Sequence, residues 1–279
     1  MNRLSKDKNR LDQLLVDKGY FASREQAKRN IMAGLVFVDN QKIDKPGKKV
    51  HLDVPLYVKN DHLKYVSRGG YKLEKALDEF SVNVEDRIAV DIGASTGGFT
   101  DCLLANGAAH VYAVDVGYGQ LAWRLRNSQQ VTVHEKTNIR HVNSDLFDDI
   151  PDLATIDVSF ISLRLVIPIV NEILAHPKDI LVLIKPQFEA DKDQVGKKGV
   201  IKDKDIQIEV LHKVLDMAKT DLNFNVCGLT FSPITGPAGN IEFLAFLSQG
   251  SQSTSNTSMD QIVTQVVKNA HEYFKGGSL

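Results

Sequence analysis

The sequence predicts an α/β fold built around a mostly parallel sheet of about seven strands, preceded by a small α+β domain. Beyond about residue 68, strand-like apolar runs alternate with helical patterns, which is the rhythm of βαβ units. A glycine-rich turn follows the first of these runs, at the place where an open α/β sheet binds its ligands. Residues 1–60 instead show two short helices and short alternating strands.

The composition is that of an ordinary globular protein. The 279 residues, 43% hydrophobic and 25% charged, have room for one medium and one small domain. The chain has no run of about 18 apolar residues, and its amino terminus has no apolar stretch before a cleavage site, so we predict a soluble cytoplasmic protein. Cys102 and Cys227 have neither disulfide nor zinc-ligand spacing, and no metal site is predicted.

Charge is distributed unevenly along the chain. Residues 1–60 hold 13 Lys and Arg against 7 Asp and Glu, a formal charge of +6, and the remaining residues carry −7. A basic front end on a nearly neutral chain favours a polyanion as its partner.

The front segment, residues 1–60, is predicted to be a separate domain, joined by a linker at 61–67 to the rest of the chain. Its predicted elements are two helices and then three strands, at 10–19, 23–34, 35–39, 48–53 and PLYVK. Ser23, with Gln26 three residues later, forms a capping-box pattern that sets the start of the second helix.

Residues 68–250 are predicted to form the α/β domain, and two polar segments interrupt its pattern. The first, 188–205, follows the end of a strand and is predicted to be an active-site lid. The second, 248–258, is low in complexity and is predicted to be a flexible tether. Residues 251–279 are therefore expected to be a flexible segment followed by a C-terminal helix.

The turn VDIGASTGGFT, residues 90–100, is the predicted cofactor loop. It places Asp91 at a strand end, followed by Gly93, Gly97 and Gly98, where the absence of a Cβ lets the backbone approach a ligand. The spacing matches neither the G-x-G-x-x-G dinucleotide fingerprint nor a P-loop. The next strand ends at Asp115, 24 residues after Asp91, where an acidic group can take ribose hydroxyls.

Together the two strand ends indicate a nucleoside ligand. The alternative is structural: the glycines form a tight turn between a strand and a helix, and Asp115 caps a helix.

Four ionisable residues lie where solvated surface is a poor explanation: Lys72, Asp157, Lys185 and Glu242. Asp157 and Lys185 end apolar strands, so in a parallel sheet they should meet at the edge that holds the cofactor loop. Taken singly, each has a structural alternative, because Lys72 or Glu242 could form a surface ion pair and Asp157 could cap a helix.

These residues resemble those of the TlyA, or hemolysin A, family, whose catalytic domain is similar to FtsJ-type ribose methyltransferases. The family's Lys-Asp-Lys-Glu tetrad falls on these four positions, and its cofactor motif falls on DIGASTGGFT, which adds Ser95 and Phe99 to the expected cofactor residues. The resemblance implies a Rossmann-like class I methyltransferase that uses S-adenosyl-L-methionine. Lys185 is then expected to accept the proton of an alcohol, with Lys72 beside it and Asp157 and Glu242 holding both lysines.

The front segment resembles the S-four type RNA-binding domain. The pattern RLDxxL…SRxxAxxxIxxGxVxVN is met except at Asp39, which stands in place of the usual Asn and also suits a turn. The candidates for phosphate contact are Arg10, Ser23, Arg24, Lys28 and Arg29. The resemblance implies 2′-O-methylation of cytidine in ribosomal RNA, in one or both subunits, with ribosomal RNA or ribosomal subunits as the partner. No membrane partner is expected, and no obligate protein partner is inferred.

Three other classes of protein remain to be weighed. A pore-forming hemolysin needs a membrane-spanning helix or barrel strands, and the sequence predicts neither. A non-catalytic RNA-binding or ribosome-assembly protein would not need the tetrad. A small-molecule methyltransferase would not need the basic front domain.

Overall fold

The structure is a computed structural model that describes residues 8–18, 20–21, 23–39, 41–52, 54, 56–58, 64–196, 199–251 and 257–276. The chain divides into two compact units. The smaller unit comprises the residues up to Lys64 together with Ala122–Arg124, and the larger one runs from Tyr65 to Leu121 and from Leu125 onward.

The smaller unit combines two helices with short strands. Its elements in chain order are β1 Lys8–Arg10, α1 Leu11–Asp17, α2 Arg24–Met32, β2 Val36–Val38, β3 Gln41–Lys42, β4 Lys49–His51 and β5 Leu56–Val58. Strand β1 pairs antiparallel with β4, and β2 pairs antiparallel with β3 and β5. Strands β1 and β3 were not predicted, because polar segments this short become strands only through the partner they pair with.

Both predicted helices of the smaller unit are present and bury apolar faces. The core includes Leu11 and Leu15 from α1 and Ile31 from α2, all fully buried. Ser23 Oγ accepts a hydrogen bond from the Gln26 amide at 3.3 Å, as the capping-box pattern predicts.

The larger unit contains the remaining helices and strands. In chain order they are α3 Gly69–Phe80, β6 Ile88–Ile92, α4 Gly98–Ala105, β7 His110–Val114, α5 Trp123–Arg126, β8 Val131–His134, β9 Leu153–Ile156, α6 Leu163–Ile173, β10 Asp179–Ile184, α7 Pro186–Glu189, α8 Lys204–Thr220, β11 Asn225–Phe231, β12 Phe243–Ser248 and α9 Met259–Gly276.

Among the described residues, seven strands form one sheet in the order β11-β12-β10-β9-β6-β7-β8. All neighbours are parallel except β12, which runs antiparallel to β10 and β11. Helices α3 and α4 cover one face of the sheet, and α6, α8 and α9 cover the other. This confirms the predicted α/β class with a mostly parallel seven-stranded sheet.

Several boundaries differ from the predicted ones. The larger unit begins at Tyr65, three residues before the predicted start, because the Tyr65 ring is buried and the Val66 amide donates to Asp101 at 2.7 Å. Helix α9 packs on the sheet through Val263 and Val267, so it is part of the larger unit. Residues 252–256 of the predicted tether lie outside the described residues.

The segment predicted to be a lid, 188–205, is attached at both ends. Its first residues continue α7 as far as Glu189. Near its other end Ile201 is buried, and its amide donates to Asn240 Oδ1 at 2.9 Å. Residues 197 and 198 lie outside the described part of the chain.

Within the described residues, no helix combines the length and the hydrophobicity needed to span a bilayer. Cys102 is buried and Cys227 is half-buried, and neither forms a disulfide.

Candidate active site

The predicted site residues gather where the central parallel strands end. The cofactor loop after β6 is tied to β7, because the Gly93 amide donates to the Val114 carbonyl at 2.8 Å. The same loop lies beside the end of β9, because the Asp157 amide donates to the Ile92 carbonyl at 2.9 Å. The cofactor loop and Asp157, one of the four predicted catalytic residues, therefore lie at the same edge of the sheet.

The glycines of the loop are required by their contacts with the chain itself. Gly93 and Gly97 have φ of +85° and +96°, which favour glycine. A Cβ on Gly93 would lie 2.5 Å from the Asp157 carbonyl oxygen, and one on Gly98 would lie 2.3 Å from Ser67 Oγ. From sequence alone these glycines are expected to make room for a ligand, whereas in the structure neighbouring loops already occupy the space.

Asp115 joins the two loops that would surround a nucleoside. Its carboxylate accepts hydrogen bonds from the Ser95 amide at 2.8 Å and the Gly117 amide at 2.6 Å. The side chains that follow are unusually open for apolar residues, with Val116 at 69% and Tyr118 at 72% exposure.

Asp91 lies beneath the loop and is fully buried. Its carboxylate accepts hydrogen bonds from the Thr100 amide at 2.9 Å, from Thr100 Oγ1 at 2.7 Å and from Thr155 Oγ1 at 2.9 Å. Burial raises the pKa of Asp91 to about 6, because these neutral donors only partly replace water. Asp91 and Phe99 are therefore both buried and stabilise the loop from within the fold.

Lys72 and Glu242 form the first of two ion pairs. Lys72 lies on α3 and Glu242 immediately precedes β12, and Nζ is 2.6 Å from Oε2. The lysine side chain is 10% exposed and the glutamate side chain 1%. Removing one partner of a pair this deeply buried leaves an uncompensated charge, which typically costs about 3–5 kcal/mol.

Lys185 and Asp157 form the second ion pair, with Nζ 2.6 Å from Oδ1. Lys185 directly follows β10, and its ammonium also donates to Ser159 Oγ at 2.9 Å. The register of β10 and β12 ends with Ile184 opposite Phe243, so Lys185 and Glu242 occupy the next positions on adjacent strands. The two ion pairs are therefore neighbours at one edge of the sheet.

Comparison with known proteins shows to which family the chain belongs. Residues 65–249 match the FtsJ-like methyltransferase family, and residues 9–54 match the S4 domain. The chain belongs to the FtsJ-like methyltransferase family. The match covers the sheet, the cofactor loop and all four ionisable residues.

Three relatives of this FtsJ-like chain extend over nearly its whole length. A Bacillus subtilis protein provisionally named an rRNA methyltransferase, YqxC, is 48% identical over 98% of this chain and 97% of its own. TlyA of Mycobacterium tuberculosis, named a 16S/23S rRNA (cytidine-2'-O)-methyltransferase, is 41% identical over 92% of this chain and 97% of its own. A solved Streptococcus thermophilus structure, provisionally named a hemolysin, is 46% identical over 98% of both chains with a TM-score of 0.74.

Three further residues at this edge were missed by the sequence argument. Ser159 binds Lys185, and Phe160 is 90% exposed with φ of +63°. The Phe160 ring lies 4.9 Å from the Phe188 ring, centroid to centroid. A hint was present in TIDVSF, where an aromatic residue follows a strand end, but its left-handed backbone and exposure are not readable from sequence.

In the S4 unit, the five predicted RNA-binding residues have different surroundings. The guanidinium groups of Arg10 and Arg24 converge on the buried Asp12, which the sequence argument did not single out. Lys28 pairs with Glu25 at 2.6 Å and Arg29 is exposed, while Ser23 serves as the helix cap.

Proposed function

We propose that this chain transfers the methyl group of S-adenosyl-L-methionine to the 2′-hydroxyl of a cytidine in ribosomal RNA, in one or both subunits. The observation that carries the proposal is the pair of buried lysine–carboxylate contacts, Lys72 with Glu242 and Lys185 with Asp157, beside the glycine loop. A protein that only binds RNA gains nothing from two desolvated ammonium groups at that place. The name of the TlyA relative supports cytidine as the target.

The loops after β6 and β7 fit an adenosine cofactor. Asp115 is only half-buried. Its carboxylate can therefore accept hydrogen bonds from ribose hydroxyls in addition to those from the Ser95 and Gly117 amides. The exposed side chain of Val116 offers apolar surface to an adenine ring. When bound there, S-adenosyl-L-methionine supplies an electrophilic methyl group.

Methylation of an alcohol requires the hydroxyl to be aligned and its proton to be removed as the carbon–oxygen bond forms. Lys185 Nζ is fixed by Asp157 and Ser159, and we assign it as the acceptor of the 2′-hydroxyl proton. Only the neutral amine form of the lysine can accept this proton. Lys72, held by Glu242, brings positive charge that stabilises the developing alkoxide.

Phe160 is placed to receive the target base. A nucleotide inside folded RNA must leave its stack before its ribose can enter a protein site, and exposed aromatic rings commonly receive the extruded base. Phe160 is 90% exposed, three residues after Asp157, and the Phe188 ring supports it. We further propose that the S4 unit binds the ribosomal RNA or subunit and that the protein works in the cytoplasm.

The test uses purified protein, tritiated methyl donor and separated ribosomal subunits from a strain that lacks the gene. Primer extension at low deoxynucleotide concentration then locates 2′-O-methyl marks. We expect label in RNA with the wild type and at least a roughly thousand-fold lower rate with Lys185→Ala, with cofactor affinity retained. An unlabelled RNA with cofactor affinity intact would overturn the proposal and favour a ribosome-assembly factor.

A further inference from the structure

Asp12 of the S4 unit stands out because it is an acidic residue at the centre of the predicted RNA-binding surface. Its side chain is completely buried, whereas the side chains of Arg10 and Arg24 are 47% and 45% exposed. An acid within a phosphate-binding surface should weaken the attraction to RNA, so its position requires a reason.

The Asp12 carboxylate is fully engaged by its neighbours. One oxygen accepts from Arg10 Nε at 3.0 Å and from the Gln13 amide at 3.0 Å, and the other accepts from Arg10 Nη2 at 2.9 Å and from Arg24 Nη2 at 3.0 Å. The contact with Arg10 is thus a two-pronged fork, which fixes the plane of the guanidinium group.

These contacts join three successive elements of the S4 unit. Arg10 ends β1, Asp12 lies on α1 next to the buried Leu11, and Arg24 begins α2. Gly47 leaves room for the guanidinium of Arg10, because a Cβ there would lie 3.2 Å from Nη1. The two arginines are therefore held in fixed positions relative to the core of the unit.

A guanidinium group carries five N–H donors. Asp12 takes two from Arg10 and one from Arg24, so both groups keep donors on exposed edges that match the oxygens of a phosphate. The two arginines also lower the pKa of Asp12 to about 2, so its carboxylate stays ionised at every physiological pH.

We infer that Asp12 is a positioning residue that holds Arg10 and Arg24 as a pre-formed clamp for the phosphodiester backbone of RNA. The inference rests on the proposed function, because it requires the S4 unit to bind RNA. Its consequence is opposite in sign to simple electrostatics. Asp12→Asn removes a negative charge and yet should weaken RNA binding, because the arginines lose their fixed orientation and must be ordered on binding.

The experiment compares the full-length wild type with Asp12→Asn and Asp17→Asn by filter binding to ribosomal RNA from a strain that lacks the gene. Asp17 is an exposed acid on the same helix, so Asp17→Asn makes the same charge change away from the clamp. We expect Asp17→Asn to bind as tightly as the wild type or slightly tighter, and Asp12→Asn to bind about ten-fold more weakly.

Two further measurements separate positioning from loss of folding. The salt dependence of binding should become shallower in Asp12→Asn by roughly one unit for each lost phosphate contact, two at most, whereas an unfolded unit would lose most of the slope. Arg10→Lys keeps the charge but cannot form the fork, and it should also weaken binding while leaving the cofactor KM unchanged.

Equal or tighter binding by Asp12→Asn and Arg10→Lys, in a wild type that does bind RNA, would overturn the inference and leave the proposed function intact. A wild type without measurable affinity for ribosomal RNA would overturn the proposed function and this inference together.

Discussion

The two units of the molecule pair positive with negative side chains in opposite ways. In the S4 unit the acid is buried and the cations are open, since Asp12 is inaccessible while Arg10 is 47% exposed. In the larger unit the cations themselves are buried, since Lys72 and Lys185 are 10% and 9% exposed. Exposed cations provide a field that attracts a polyanion, whereas buried cations act strongly on a reacting atom beside them.

Asp12 and Asp91 are both fully buried, and they differ in the charge of the groups around them. Guanidinium groups surround Asp12 and lower its pKa to about 2. Neutral hydroxyl and amide donors surround Asp91, and burial raises its pKa to about 6. Burial alone therefore does not determine the charge of an aspartate, because the charge of its hydrogen-bond donors decides whether the ionised form is favoured.

The largest expected effect is the loss of a partner inside the larger unit. Glu242→Gln leaves Lys72 buried without its carboxylate, so we expect the free energy of unfolding to fall by about 3–5 kcal/mol and kcat to fall by at least about 100-fold. Chemical denaturation and the methyl-transfer assay measure the two quantities.

The matched control is Glu209→Gln. Glu209 pairs with Lys213 at 2.8 Å on α8, but both side chains are partly exposed, at 46% and 35%. That change should leave both the free energy of unfolding and kcat nearly unchanged, because solvent screens an exposed pair. Equal losses from the two variants would contradict the distinction between buried and exposed pairs.

The next effect concerns the contact between the cofactor loop and Asp157, which directly follows β9. Gly93→Ala combines φ of +85° with a Cβ 2.5 Å from the Asp157 carbonyl oxygen, so we expect both cofactor affinity and kcat to drop by at least about ten-fold. Gly239→Ala has φ of +90° but nothing within 4 Å, so it tests backbone strain alone.

Isothermal titration of cofactor binding and steady-state kinetics distinguish the two glycine variants. Strain alone costs about 1 kcal/mol, so Gly239→Ala should lose a little stability and no cofactor affinity. If both variants lost cofactor affinity equally, the contact with Asp157 would not be the cause.

The third expected effect is that Asp12 and Asp91 change the stability of the fold with pH in opposite directions. Asp12, with a pKa near 2 against an ordinary 3.8, stabilises the fold above about pH 4, and that contribution is lost as the pH falls toward 2. Asp91, with a pKa near 6, retains its proton where the unfolded chain has lost it, so its contribution is complete below about pH 4 and disappears as the pH rises through 6.

Carbon-13 NMR of aspartate-labelled protein measures both carboxyl groups, with Asp12→Asn and Asp91→Asn assigning the signals. We expect one signal to titrate below and the other above the ordinary aspartate value of 3.8. Two signals that titrate together would show that the neighbours of these carboxylates do not set their charge.

The smallest effect is expected at a single exposed cation. Lys28 lies on α2 with a partly exposed side chain paired to Glu25. Lys28→Gln should reduce the affinity for ribosomal RNA only a few-fold and the salt slope by about one unit, while kcat stays unchanged. A change in kcat measured at saturating RNA would contradict the assignment of this residue to binding.

The sequence by itself determined the class of fold, and it predicted the cofactor loop and the set of four ionisable residues. Those features depend on local patterns, namely the alternation of apolar runs, the turn chemistry of glycine and the residues at strand ends. The helices of the S4 unit could be predicted for the same reason, since Ser23 and the apolar spacing are local signals.

Only the tertiary structure decided which charges meet. Lys72 and Glu242 are 170 residues apart, so their pairing depends on the antiparallel return of β12 beside β10. The contact of Gly93 with Asp157, the contact between the Phe160 and Phe188 rings and the ion pair of Arg24 with Asp12 likewise arise from packing between separate segments. No local pattern encodes such contacts, because they exist only once the segments have been brought together by the burial of the core.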